Sequence, residues 1–341
     1  MEFEKIKKDS NTEIDIPFNA EKYIVDMSNT NKILVDYLTG KIPKGYTIGV
    51  ECFDKHFTFK RHEFYVMTGK KGSGKTTINQ GIQIMGSVVN GLKWVVAFQE
   101  NDKWAMKLNY MNYLLGDFAK DVYETNRVKF ESVSKWIDEH FIFIKVKTLK
   151  EATDVTIYLI NEKKIDIYGL MLDPINSFLS GWHDTGNDYK DGVSDALKLL
   201  DFTLEYCSVY LNQHPSMRGQ RNAGAVSSYD GEGGWFLNKA SFTYVINREK
   251  GSNRNQIIVD NVRNKHTGGK ETSKDNPVVI EWKPTSLNIS FEDDTFKLEN
   301  VIQHLVFKHR PFTYPDFEKD AENYSKEEFN KEFKEDDELL F

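Results

Sequence analysis

Apolar residues are distributed along this chain in two rhythms. Short runs, HEFYVMTG from His62, WVVAFQE from Trp94, FIFIKV from Phe141, YGLMLD from Tyr168 and VYLNQ from Val209, have the length and the aromatic and β-branched content of buried strands. The stretches between them carry apolar residues at helical spacing. Strand and helix therefore alternate, which is the pattern of an α/β protein with a mostly parallel central sheet and helices over both faces. Within 187–205, Val193, Ala196, Leu197, Leu200 and Leu204 share one side of a helix, and that side is expected to pack on the sheet.

The rhythm changes after Trp235. FTYVINRE, QIIVDNVR, PVVIEW and LNISF follow one another with little helix between, as antiparallel strands added at a sheet edge would. At the other end, residues 1–45 are polar at first and then show helical spacing in AEKYIVDMSNTNKILVDYLTG, stopped by Gly40 and Pro43. The expected organisation is an arm with one or two short helices over 1–45, a nucleotide-binding domain over 46–310 and a tail over 311–341.

The first strand runs into GKKGSGKT, Gly69 to Thr76, which fits the template G-x-x-x-x-G-K-[ST] between a strand and a helix. Glycines let backbone N–H groups turn inward around phosphates, and the helix beginning near Lys75 adds its positive dipole end. Gly69, Lys70, Lys71, Gly72, Ser73, Gly74, Lys75, Thr76 and Thr77 are the expected nucleotide-binding residues, with Lys75 neutralising the β and γ oxygens. The Thr76 hydroxyl is the candidate Mg²⁺ contact, because that ion keeps most of its water and needs only one or two protein ligands. Asp173, closing the apolar run YGLMLD, is the second candidate on the metal side.

Hydrolysis also requires an oriented, deprotonated water. Glu100, ending WVVAFQE 25 residues after Lys75, is the candidate base if its strand lies next to the phosphate-loop strand. Gln213 and His214 fall at the tip of a further inner strand, where His214 is placed to sense the γ-phosphate.

Composition narrows the class. The chain has 341 residues, 39% of them hydrophobic, with no apolar stretch of membrane-spanning length and charges where a secretory signal needs an apolar segment. Cys52 and Cys207 are too few for a disulfide framework, so a reduced, cytoplasmic protein is expected. The net charge of −7 equals that of Asp316 to Phe341 alone, which holds 11 acidic and 4 basic residues. The body is thus formally neutral and free to present basic loops. Arg218, Arg221 and Asn222, in the irregular stretch from Pro215 to Gly234, are candidates for such a loop, able to follow a nucleic-acid backbone through its phosphates rather than its bases.

TGKKGSGKT, VVAFQEN, LMLDPIN, LNQHP, GGWFLNKASFTYVINRE and VDNVRNKHTGG occur in an order that resembles hexameric replicative helicases of the DnaB-like type, in their phage and Twinkle-like versions. The resemblance covers about residues 45–292. It implies a RecA-like core, hydrolysis of ATP, dTTP or another triphosphate with Mg²⁺, a six-subunit ring and a replication fork as partner, in the host cytoplasm for a phage protein. It also implies that Glu100 activates water, that His214 senses the γ-phosphate, and that a late-strand arginine reaches the neighbouring subunit's nucleotide. Arg263 aligns with that arginine and puts Asn261 where the family has a lysine; a shifted alignment uses Arg263 and Lys265. The arm helix is expected to dock on the adjacent subunit, and the acidic tail with its terminal phenylalanine resembles segments that bind a polymerase or another replisome protein. Priming and loading would belong to other proteins. A RecA-like recombinase or regulatory ATPase is the alternative reading.

Overall fold

The structure is a computed structural model that describes residues 4–7, 13–16, 27, 30–39, 41, 45–48, 50–100, 102–115, 118–182, 187–216, 234–248, 254–263, 270–272, 276–283 and 288–291. The chain divides into two units, Met1–Pro43 and Lys44–Phe341. In the first, β1 (Glu4–Lys7) and β2 (Glu13–Ile16) pair antiparallel, where the sequence suggested only a polar arm, and α1 (Thr30–Leu38) follows as expected.

The second unit opens with the short α2 (Glu51–Asp54) and then alternates strand and helix. In chain order its elements are β3 (Phe64–Gly69), α3 (Lys75–Asn90), β4 (Lys93–Phe98), α4 (Lys103–Leu115), α5 (Ala119–Thr125), α6 (Arg127–His140), β5 (Phe141–Ile144), α7 (Leu149–Asn161), β6 (Ile167–Asp173), α8 (Asp188–Glu205), β7 (Ser208–Gln213) and α9 (Gly234–Lys239). Strands β8 (Phe242–Arg248), β9 (Arg254–Val262), β10 (Val278–Lys283) and β11 (Asn288–Phe291) complete it. One nine-stranded sheet results, in the order β11-β10-β9-β8-β3-β7-β6-β4-β5. From β8 to β5 every pairing is parallel, and from β8 to β11 every pairing is antiparallel.

Two expectations change here. FTYVINRE is not an antiparallel edge strand: α9 precedes it and allows a parallel entry, so β8 becomes the inner neighbour of β3. Likewise β4 does not lie beside β3, because β7 and β6 are inserted between them.

Both faces of the parallel strands are covered, which explains their near-continuous apolar sequences. On β3, Tyr65 and Met67 join Ile78, Ile82 and Met85 of α3, Tyr110 of α4 and Trp136 of α6 in one core. Phe64 and Val66 point the other way, into a core with Leu149 and Ala152 of α7, Ala196, Leu199 and Phe202 of α8, and Phe236 of α9. Helix α8 thus buries Ala196, Leu199, Phe202 and Thr203, while Leu197 is 41% and Leu204 64% exposed. Of the stripe expected to be core, Ala196 is buried and Leu200 packs against the core, while Leu197 and Leu204 turn to solvent. Helical spacing alone could not decide between these neighbouring faces, since Thr203, Asp195 and Gly192, which share the buried side, carry no apolar signal.

Candidate functional site

The carboxyl ends of β3, β6 and β7 and the segment after β4 meet at one end of the sheet, the usual place for a ligand in a parallel α/β fold. The loop leaving β3 is shaped by its glycines. Gly74 caps α3 at φ 87°, a left-handed conformation that strains other residues, and Ile78 N–H returns to its carbonyl at 2.8 Å. Gly69 is held close to β8: a Cβ there would lie 2.5 Å from the Ile246 carbonyl oxygen and 2.7 Å from Ser73 Oγ. The loop between them is a tight nest that offers N–H groups and a helix N-terminus to an anion.

Lys75, the first residue of α3, is buried and donates to the carbonyls of Gly69 at 2.8 Å and Lys70 at 3.1 Å. Loss of solvation lowers its pKa to about 8, against the pull of Asp173 and Glu100, which favour the charged form. The amine therefore sits inside the loop with two carboxylates acting on it. Ser73 Oγ is buried without a partner, a polar atom available to a phosphate oxygen.

Asp173 closes β6, paired with Phe98 of β4. Burial raises its pKa, while the Asn212 amide, the Thr76 hydroxyl and the Lys75 charge favour its ionised form and Glu100 opposes it. The structure thus brings Thr76, Asp173, Lys75 and Glu100 together. Glu100 does so differently from expectation: it is exposed, two residues past the end of β4, and acts on Lys75 and Asp173 although its strand is three places from β3. A hydroxyl and a desolvated carboxylate are hard oxygen donors, which fits Mg²⁺ completing its shell with water and phosphate. Among the described residues no group of three or more His, Cys, Asp or Glu forms a metal centre of another type.

Gln213 ends β7 and pairs with Thr68, one residue before the loop. His214 follows, its backbone N–H bonded to Asn176 Oδ1 at 3.0 Å, so both lie beside the loop. Arg263 lies elsewhere. Its N–H bonds to the Ser241 carbonyl, its guanidinium reaches the Asn238 carbonyl, and Val262 pairs with Phe242 at the start of β8. The loop begins beside Ile246, four residues on, or about 13 Å along the strand. Arg263 therefore stands at the opposite end of the sheet from its own phosphate loop. Lys265, Arg218, Arg221, Asn222 and the acidic tail lie outside the described residues.

Residues absent from the sequence reading also stand at this end of the sheet. Asn255, buried at the start of β9, places its amide 3.9 Å from a Cβ built on Gly74. Arg248 ends β8 two residues beyond Ile246. Asn79, Asn212 and Tyr244 form a buried polar chain behind Asp173. No short motif announces them, because each becomes relevant only through strand order.

Comparison with solved structures bears on the fold. The chain matches a structure described as the ATPase domain of G40P with a TM-score of 0.63 at 13% identity, over 77% of this chain and 99% of that one. It also matches one described as a DnaB-like replicative helicase and its interactions with primase, with a TM-score of 0.59 at 14% identity, over 82% of this chain and 68% of that one. The fold is that of a DnaB-type ATPase domain. No family model and no curated protein matches the sequence. Within this RecA-like fold the parallel strands carry the phosphate loop, and the antiparallel strands β9 to β11 extend the sheet beyond β8.

Proposed function

We propose that this chain is a nucleoside triphosphate hydrolase that works as a ring, in which a phosphate loop in one subunit is completed by an arginine from the next, driving movement along single-stranded DNA and unwinding of duplex. The observation that carries this reading is the separation of Arg263 from its own loop, where Lys75, Thr76, Asp173 and Glu100 supply the groups for binding and water activation. A guanidinium at the far end of the sheet does not serve its own loop; in this reading it serves a second copy, and head-to-tail contacts of that kind close into rings.

In this reading the loop amides and Lys75 hold the β and γ phosphates, and Glu100 orients the attacking water and takes its proton. Thr76 and Asp173 would hold Mg²⁺, which would supply neutralisation of charge on the phosphate oxygens. His214 and Gln213, at the tip of β7 next to the loop, sense the loss of the γ-phosphate. Arg263 stabilises the charge that develops on it, an effect of about 10³ to 10⁵ in rate. The subunit contact has two candidate halves: the exposed Leu34, Val35 and Leu38 of α1, and the exposed α8 stripe, which runs into a hollow of about 400 Å³ lined by Tyr189, Val193 and Trp235. DNA contacts belong to the segment with Arg218, Arg221 and Asn222, and the acidic tail is a site for a replisome partner.

Mixing inactive subunits tests the shared site. Arg263→Ala and Lys75→Met proteins, each inactive alone, should regain DNA-stimulated hydrolysis together, because about a quarter of random interfaces pair an intact loop with an intact arginine. No recovery in mixed assemblies would refute the trans assignment. Hydrolysis without strand separation on a forked duplex would favour a recombinase-like or regulatory ATPase.

A further inference from the structure

Behind Asp173 lies a chain of polar side chains with no contact to solvent. Tyr244 on β8 and Asn79 on α3 are each 1% exposed, and Asn212 on β7 is fully buried. Burying such groups is costly unless they are matched, and here the matching has a direction. The Tyr244 hydroxyl donates to Asn79 Oδ1 at 3.0 Å, and Asn79 Nδ2 donates to Asn212 Oδ1 at 2.9 Å. Asn79 Nδ2 also lies 3.4 Å from the weak acceptor Met171 Sδ, which agrees with that amide orientation.

With its oxygen engaged, Asn212 has only Nδ2 left to offer. Nδ2 has no partner of its own, and the next group along the sheet is Asp173: Leu172 of β6 pairs with Leu211 of β7, so Asp173 and Asn212 follow side by side, on the face where Met171 and Tyr210 are core. Reversing the amides would turn the Asn212 oxygen toward a carboxylate and set acceptor against acceptor. Asn79 also stands one turn after Lys75 and Thr76, so the helix that presents the phosphate and metal contacts carries the middle of the chain.

We propose that Tyr244, Asn79 and Asn212 are positioning residues, a one-way hydrogen-bond relay that presents an amide donor to Asp173 and so orients its carboxylate toward the magnesium–nucleotide complex. The proposal rests on the metal site of the preceding section. It gives the phosphate-loop helix and the β8 strand a direct mechanical hold on the metal-side carboxylate, independent of any contact with nucleotide.

The test uses the full-length protein with ADP and Mn²⁺ as the probe, free Mn²⁺ being read by electron paramagnetic resonance, and a fluorescent ADP in EDTA for metal-free binding. Asn79→Asp should weaken Mn²⁺ about tenfold, Asn79→Ala about threefold and Tyr244→Phe about twofold, with metal-free nucleotide affinity changed less than about twofold. Asp at position 79 offers acceptors to both neighbours and turns the Asn212 amide around, so its excess over alanine is the signature of direction. Thermal unfolding identifies any variant that does not fold, and the alanine and phenylalanine variants then carry the test. Equal Mn²⁺ affinity in all folded variants overturns the relay while leaving the metal site intact. A parent protein that holds no Mn²⁺ beside ADP removes the metal site itself, and the relay with it.

Discussion

Replacing Lys75 by methionine keeps the length of the side chain and removes its charge, and the structure gives the consequence a size. The amine has a pKa of about 8 in the fold against 10.5 as the ordinary value. At about pH 7 both folded and unfolded chains hold the proton, so the fold bears the whole cost of a poorly solvated ammonium, about 3 kcal/mol. Between those two pKa values the unfolded chain binds a proton that the folded chain has released, so the parent gains stability as pH rises through this window. From about pH 7 to about pH 9.5 the gain is about 2 kcal/mol. Lys75→Met cannot show it. Urea unfolding of both ligand-free proteins at the two pH values therefore yields a double difference of about 2 kcal/mol, in which the hydrogen bonds to Gly69 and Lys70 largely cancel. A variant-minus-parent difference that stays constant within about 0.5 kcal/mol would refute a desolvated amine. The same chemistry predicts that triphosphate binding near pH 8.5 takes up a proton, as phosphate oxygens restore the charge; calorimetry in buffers of different ionisation heat measures it.

The remaining predictions concern the rest of the loop, the water and the outer surface. Glu100→Gln should bind nucleotide within about threefold of the parent and lower turnover by about 10² to 10⁴, and near-normal steady-state hydrolysis would remove Glu100 from the base role. Gly69→Ala drives a methyl group against the Ile246 carbonyl, a backbone atom that moves only with β8, and should cost about 1 to 3 kcal/mol in unfolding experiments. Leu197→Ser and Leu204→Ser, on the exposed face of α8, should change unfolding free energy by less than about 0.5 kcal/mol each. The same two changes should weaken assembly in sedimentation, and unchanged assembly would place the subunit contact elsewhere.

What could be read along the chain was whatever is contiguous in it. The phosphate loop is one strand, one turn and one helix start, so Gly69 to Thr77 carry their geometry within nine neighbouring positions, and structure and motif coincide there. The apolar runs marked the inner strands for the same local reason: a strand covered on both faces is apolar at nearly every position. Asp173 was legible because its run ends at the site.

Strand order was not legible. Nothing in WVVAFQE states that two strands separate it from the loop, and nothing in FTYVINRE states that it enters parallel, because both follow from pairings between residues far apart in sequence. The side of α8 that is buried depends on which neighbour it meets, so Leu197 and Leu204 lost to a face containing Gly192, Asp195 and Thr203. Asn79, Asn212 and Tyr244 come from a helix and two strands and form one hydrogen-bonded chain only when α3, β7 and β8 come together. Local chemistry belongs to adjacent residues and is written in their order; the reach of one group to another across the sheet exists only once the chain has chosen its partners.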